Sequence, residues 1–431
     1  AGFFDKPGVR KFVHNRSGMV SLLVIGIFML IAALVAIPPH MISLDMVLSR
    51  VGPGSMPGFG ILPEFDKRID VADFYLSGIE KALDSSDPQA ALAAINYAGK
   101  RVVDLPFAEI QAKLDDAFSS FDAFDETYVA YDDSQIEYED LLDAEARDEA
   151  AIAGAKVQSE QARADAIAAL EPVEAQVALL YETPTGWEGV FSRFARLGGT
   201  DRQGRSISLR AIYSIKTAVQ IGMVTAIVSV IIGGVLGGAA GFFGGIVDHA
   251  VVWLYSTLSS IPYIIWLIVI AFVFRESSFK VPFTDKLIGQ TLFPVYIAFG
   301  VTLWVGTCRV IRGEAMKIKS LDYIQAATSI GCGSPRILLR HVLPNVMYLM
   351  FINFSLAFVA AIKGEVILSY LGLGVQGQPS WGVMIRDSKD DVALGIFWEL
   401  GAAMVLMFVL VYAFNILSDA LQDAFDPKYV G

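Results

Sequence analysis

Few residues in this chain have types and spacings suited to catalysis. The four histidines, His14, His40, His249 and His341, are scattered. None has a second ligand four residues on or a cysteine partner, the arrangements a zinc site needs. Serines are plentiful, but no Gly-x-Ser-x-Gly elbow and no His-Glu-x-x-His pair occurs, so the motifs of a serine hydrolase and of a helical zinc protease are both missing. Ala98-Gly-Lys-Arg101 comes nearest to a phosphate loop, yet it lacks the leading glycine and the hydroxyl residue that would meet a magnesium ion. No metal, no cofactor and no catalytic residue is expected on this chain. Cys308 and Cys332 are its two cysteines. They imply no disulfide framework and read as small buried or interfacial thiols.

What spacing does mark is a contact. Tyr323-Ile-Gln-Ala-Ala-Thr-Ser-Ile-Gly331 is followed by His341-Val-Leu-Pro344, in a stretch carrying Arg309, Arg312, Lys317, Lys319, Arg336 and Arg340. A short helix with the small face Ala326-Ala327, then Gly331, then a basic amphipathic turn ending in Leu343-Pro344, reads as a docking element. Gly331 suits a turn that needs unusual backbone angles. Pro344 suits the first turn of a helix, where its missing N–H is not needed.

The elements around this segment are membrane spans. The 431-residue chain is 54% hydrophobic with mean hydropathy +0.53, yet its net charge is −12. The charge is segregated: roughly 30 acidic against about 12 basic side chains lie between His40 and Arg196, as in a separate solvated region. No basic stripe with interleaved aromatics suggests nucleic acid. A spanning helix needs ~18 or more apolar residues to cross a ~30 Å core. Six segments meet or approach this: Ser17 to Ile37, stopped by Pro38-Pro39; about Thr217 to Phe243; about Val251 to Phe274, with a kink at Pro262; about Thr291 to Cys308; about Val346 to Leu368; and about Leu394 to Leu417. The first reads as a retained anchor, because it exceeds the ~7–15 residues of a signal-peptide core. Basic residues favour the cytoplasm. With six spans the basic N-terminal tail (Lys6, Arg10, Lys11, Arg16), the docking loop and the C-terminus fall on one side, and the acidic region falls outside.

Within the spans, Gly233, Gly237, Gly241 and Gly245 recur at a four-residue step, with Gly234 and Gly238 beside them. Small residues on one face let helices approach in lipid. Lys363 and Glu365 interrupt the fifth span. They stand ~200° apart on a helix and cannot pair on one face. They are gate or pathway candidates, or else lie at the interface and reach to water.

The acidic region reads as helical. Asp87-Pro88 is an N-cap and first-turn proline, opening a helix expected over Gln89 to Val103, and Pro106 restarts the chain. Ser134 to Ala169 is dominated by helix formers, with alanine-rich seams that predict a helical hairpin or short antiparallel bundle. Val51 to Phe65, rich in Gly and Pro, reads as a linker. The region is a spacer or a docking surface for an extracytoplasmic partner; both readings stay open.

The docking segment resembles the EAA loop of bacterial ABC-importer permeases. Gln325, Ala326, Ala327, Gly331, Leu343 and Pro344 fall on its spacing. Further segments are similar, in order, to the second (C-type) subunit of the dipeptide/oligopeptide/nickel permease family: Gly199-Thr-Asp-Arg-Gln-Gly-Arg205, Ser259-Ser-Ile-Pro262, Arg309 and Arg312 with Gly313, Leu368-Ser-Tyr-Leu-Gly-Leu-Gly374, Pro379-Ser-Trp-Gly382 and Asp419 to Pro427. Ser206 replaces that family's usual Asp, Gln325 its acidic residue and His341 its aliphatic one. The amide of Gln325 keeps donors and an acceptor but loses the charge. The insertion from about His40 to Phe194 is longer than the family usually carries.

The resemblance implies an all-α membrane protein with six transmembrane helices of the type I ABC importer kind and a helical periplasmic insertion between helices 1 and 2. Residues 1–40 would be the cytoplasmic tail and first helix, 41–195 the insertion, and 196–431 the permease core with its coupling loop at 312–344. It implies a bacterial inner-membrane location and half of a pathway for peptides or similar small solutes. The implied partners are a second homologous permease, two ABC ATPase subunits holding ATP and Mg, a periplasmic solute-binding protein and lipid. The ATPase-coupling residues would be Tyr323, Gln325, Ala326, Ala327, Gly331, Arg336, Arg340, Leu343 and Pro344. A membrane-anchored scaffold would instead have no partner at the basic loop. An ion-coupled transporter would want broken helices in corresponding positions of two internal halves, which the sequence does not display.

Overall fold

The computed structural model describes residues 7–36, 44–48, 50–52, 54–58, 65–97, 100–144, 148–182, 186–275 and 291–425. Lys6, Ile37 to His40, the Ala98-Gly99 pair and Asp426-Pro427, all used in the sequence reading, lie outside them. The chain divides into two compact units, Asp45–Leu209 and Ala1–Leu44 with Arg210–Gly431.

The chain opens with α1 (Pro7–His14) and the apolar α2 (Arg16–Ala36). The middle unit follows: α3 (Leu44–Leu48), α4 (Phe65–Leu83), α5 (Pro88–Ala94), β1 (Asn96–Tyr97), β2 (Lys100–Val102), α6 (Phe107–Asp143), α7 (Glu149–Leu180), β3 (Tyr181–Glu182) and α8 (Trp187–Leu197). Helices α6 and α7 form an antiparallel hairpin, and α4 packs against both. Its core is Tyr75, Leu76 and Ile79 of α4, Ile110, Leu114 and Phe124 of α6, and Leu170, Val173 and Val177 of α7. Alanines 117, 155 and 166 are buried, which allows the close, thin contact their size permits.

The structure refines three sequence expectations here. The helix expected over Gln89 to Val103 ends at Ala94, although Asp87 caps it as read, its side chain accepting from the Ala90 N–H at 3.1 Å. The chain then pairs as a small antiparallel sheet, with Arg101 opposite Glu182 and Val102 opposite Tyr181. The run Ser134 to Ala169 is interrupted between Asp143 and Glu149, where the Asp148 side chain caps α7 by accepting from the Ala150 and Ala151 N–H groups. The Gly/Pro stretch read as a linker is partly paired. Val51 N–H donates to the Gly204 carbonyl, and Met56 exchanges hydrogen bonds with Thr200. Asp201 holds that turn by accepting from the Gln203 and Arg205 N–H groups and the Arg205 guanidinium. Ser206 accepts from the Leu209 N–H at 3.2 Å, so it caps the next helix as an aspartate would.

The second unit is built from α9 (Ile207–Phe243), α10 (Gly245–Ser259), α11 (Tyr263–Arg275), α12 (Phe293–Thr302), α13 (Trp304–Lys319), α14 (Asp322–Ser329), α15 (Ser334–Ile337), a π-helical turn (Leu338–Val342), α16 (Leu343–Tyr370), α17 (Trp381–Asp387), α18 (Lys389–Ala393) and α19 (Trp398–Phe425). Among the described residues, five helices are long and apolar enough to cross a membrane, or six if α10 and α11 count as one broken span. The kink expected at Pro262 is an 83° bend between α10 and α11. The α9 helix starts ten residues before the apolar run that signalled it. Its glycines work on two faces. A Cβ at Gly233, Gly237 or Gly241 would meet the α13 backbone at 2.7, 2.5 and 2.5 Å, while Gly234 and Gly238 lie against Met350 and Leu343. Gly245 is not part of that stripe: it follows the break at Gly244, with φ +55° and nothing within 4 Å.

Candidate coupling site

The docking segment folds as α14, and its closure is a Schellman turn. Gly331 takes φ +84°. The Gly331 N–H donates to Thr328 and the Cys332 N–H reaches back to Ala327 at 3.1 Å, the paired bonds that satisfy the last carbonyls of a helix. A side chain other than glycine is strained at that angle, so glycine is there for its backbone.

The helix is seated by one face. Ile324 is 2% exposed and joins the buried cluster of Phe242, Ile311, Ile318, Ile337, Val342 and Val346, drawn from α9, α13, α15, the π-helical turn and α16. Ala327 is half-buried against the same cluster, whereas Gln325 and Ala326 are exposed. Ile330 is 81% exposed and Leu339 66%, and Arg336 and Arg340 are exposed as well. Gln325 is engaged within the chain, its Nε2 donating to the Ser320 carbonyl at 3.1 Å. That bond ties α14 to the end of α13. Tyr323 faces α16 and the turn before it: Asn345 Nδ2 donates to its hydroxyl at 2.7 Å, and the His341 ring stands edge-on with centroids 6.4 Å apart.

From Ser334 the chain runs to Tyr370 as one rod. The π-helical turn lets the Leu343 N–H reach the Leu338 carbonyl, one residue farther back than in an α-helix. Pro344, which lacks an N–H, follows at once. Such π turns relieve a locally interrupted ladder. Leu343 is half-buried and Pro344 exposed. The structure therefore gathers Tyr323, Gln325, Ala326, Ala327, Gly331, Arg336, Arg340, Leu343 and Pro344 at one end of the second unit. Helices α1 and α19 meet there too: Lys11 Nζ donates to the Asp423 carbonyl at 2.7 Å, and Tyr348 stacks on Phe425.

Lys363 and Glu365 lie far along the same rod and apart from one another. Lys363 is exposed. Glu365 is 3% exposed and accepts from the Ser369 hydroxyl at 2.6 Å, with Gly382 of α17 packed over it. It does not reach water in this chain.

Sequence reasoning missed two constellations. Arg312 clasps Asp248 through both guanidinium edges, at 2.5 and 2.7 Å; in the sequence it read as loop charge and as part of a family-like segment, with no partner named. Arg210, 1% exposed, binds Glu399 and Asp387, while the Trp381 indole donates to the Ala211 carbonyl at 3.0 Å. The one available signal for the second was charged residues at the edges of apolar runs, where polar side chains must find partners.

Residues 230–431 match the family described as the binding-protein-dependent transport system inner membrane component. The chain is 34% identical over 231 residues to the dipeptide transport system permease protein DppC of Bacillus subtilis, covering 53% of this chain and 68% of that one. It is 33% identical to the oligopeptide transport system permease protein OppC of Haemophilus influenzae, covering 53% and 70%, and 33% identical to OppC of Escherichia coli K12, covering 53% and 72%.

The chain belongs to the dipeptide/oligopeptide ABC permease family.

Family membership makes it a multi-pass inner-membrane permease subunit of a binding-protein-dependent importer. The matched range holds α10 through α19, including the whole segment from Tyr323 to Pro344, Lys363 and Glu365. The hairpin of the middle unit lies outside that range.

Proposed function

We propose that this permease forms half of a peptide pathway and is driven through α14 by a separate ATPase. The observation that carries the reading is mechanical. A helix closed by Gly331 presents Ala326 and Ile330 outward, is bolted to the fifth span through Tyr323–Asn345 and to α13 through Gln325–Ser320, and continues into a 37-residue rod. A partner that grips the outer face moves α13 and α16 together. The cargo is a peptide or similar small solute, the class named by the relatives' names.

Six spans are counted on this reading, with α10 and α11 as one. The end that gathers the basic N-terminal helix, the coupling segment and the C-terminal helix is cytoplasmic, as clustered Lys and Arg favour, and the acidic middle unit is periplasmic. A second homologous permease, two ABC ATPase subunits holding ATP and Mg, and a periplasmic solute-binding protein complete the assembly. Gln325 contributes no charge to the ATPase contact; Ala326, Ile330, Arg336 and Arg340 form it. Lys363 and Glu365 are not assigned to an open pathway within this single chain.

The test is recovery of the ATPase through a tag on this chain. Wild type retains it, and Ala326→Glu, which places a charge and a longer side chain on the exposed face, loses it while still inserting. Retention by the variant removes the docking assignment.

A further inference from the structure

The two halves of the broken third span belong to different cores. Val251 of α10 packs with Trp304, Val305 and Cys308 of α13 and with Ala240 of α9, Tyr255 and Leu258 lying alongside. Leu267 and Ala271 of α11 pack instead with Val295 and Phe299 of α12 and Ala361 and Leu368 of α16. Two arginines one turn apart on α13 hold α10 at both ends. Arg312 clasps Asp248 in the first turn. Arg309 donates to the Ser259 hydroxyl at 2.8 Å and lies 4.9 Å over the Tyr255 ring. Between the halves sit Ser260, Ile261 and Pro262. The Trp266 indole donates across the bend to the Leu258 carbonyl at 3.0 Å, and the crook holds a cavity of about 250 Å³ lined by Leu258, Ser259, Pro262, Trp266, Thr302 and Val305.

We infer that Arg309 and Arg312 are positioning residues that strap α10 to α13, so that α10 travels with the coupling helix while Ser260–Pro262 bends as a hinge against α11. The inference rests on the coupling role proposed above. The geometry supplies each part: α13 runs into α14 through a two-residue turn tied by Gln325, a bidentate pair fixes α10 in direction as well as place, proline removes the helix bond that would resist bending, and the cavity leaves room for the angle to change. Movement of α14 is thereby delivered to a span that contributes no residue to the cluster in which Ile324 is seated.

The test uses the assembled transporter with its own ATPase and binding-protein partners. Cys308 is buried and stays unlabelled; Cys332→Ala removes the other thiol. Spin labels are attached to Trp253→Cys with Val310→Cys, and to Trp253→Cys with Phe272→Cys, all exposed positions on α10, α13 and α11. ATP is expected to leave the first distance unchanged and to alter the second. In Asp248→Asn and in Arg312→Gln the first distance becomes nucleotide-dependent, and solute moved per ATP hydrolysed falls about fivefold or more, the lower range of coupling between sites. The exchanged pair Asp248→Arg with Arg312→Asp recovers at least half of that loss; if it fails to insert, the single variants decide. A second distance that ignores ATP, or single variants that transport per ATP as wild type does, overturns the strap. Ala326→Glu is run in parallel: if it keeps its ATPase the coupling role itself has failed, and if it loses the ATPase while the strap results are negative, the strap alone has failed.

Discussion

Arg210 and Glu399 pair inside the fold, with Nη1 2.5 Å from Oε1 and side chains 1% and 3% exposed. They join the start of α9 to the start of α19, and Asp387 at the end of α17 accepts from the second guanidinium nitrogen at 3.0 Å. Removing one partner of a buried pair strands a desolvated charge, at about 3–5 kcal/mol. Arg210→Met is therefore expected to lower the amount of folded permease recovered from membranes and its melting temperature in detergent. Glu399→Gln keeps a hydrogen-bonding side chain and leaves Asp387 to balance the guanidinium, so its loss is smaller. Equal effects of the two variants would show that the charge pair is not what joins these helices.

The glycines of α9 make a second prediction, with an internal control. A Cβ at Gly237 would stand 2.5 Å from the Cys308 carbonyl oxygen, which is backbone and cannot swing aside. Gly237→Val is expected to force α9 from α13 at a cost of about 3 kcal/mol or more, the upper range for overpacking. Gly313 has nothing within 4 Å. Gly313→Ala should be neutral or stabilise by about 0.5–1 kcal/mol, the ordinary gain from replacing a helical glycine. Thermal melting of the purified permease separates the two; a tolerated Gly237→Val would mean that the glycine stripe does not set the helix spacing.

Local geometry was legible in the sequence wherever one residue type has few uses. Gly331 marked its own positive φ, the stripe at Gly233, Gly237 and Gly241 marked a close helix contact, and Asp87-Pro88 marked a helix start. Features set by distant partners were not legible. Pro262 announces a missing hydrogen bond but no angle; the 83° bend is flanked by the Trp266–Leu258 and Arg309–Ser259 bonds, whose partners lie eight and 50 residues apart. The helix expected to reach Val103 stops at Ala94 because Arg101 and Val102 pair with Glu182 and Tyr181, an antiparallel match that no local propensity signals. Arg210 meets Glu399 across 189 residues, and nothing near either residue names the other. At the coupling segment the spacing located the helix and its turn. It did not disclose that Gln325 is spent on the Ser320 carbonyl or that Tyr323 reaches Asn345.

Gly331 gives the prediction closest to transport itself. At φ +84° a residue with a Cβ is strained by about 1–2 kcal/mol, and a β-branched one more. The site is open, with nothing within 4 Å, so the change does not disturb packing or insertion. Its effect falls on the angle between α14 and the rod that begins at Ser334. Gly331→Val is expected to keep ATP hydrolysis by the assembled transporter while lowering solute taken up per ATP. Asn tolerates positive φ better than other side chains, so Gly331→Asn should recover part of the loss. Uptake and hydrolysis measured together in reconstituted vesicles check this. Wild-type coupling in Gly331→Val would show that the angle of this turn does not transmit the stroke, and the lever would have to be sought in the side-chain bolts Gln325–Ser320 and Tyr323–Asn345 instead.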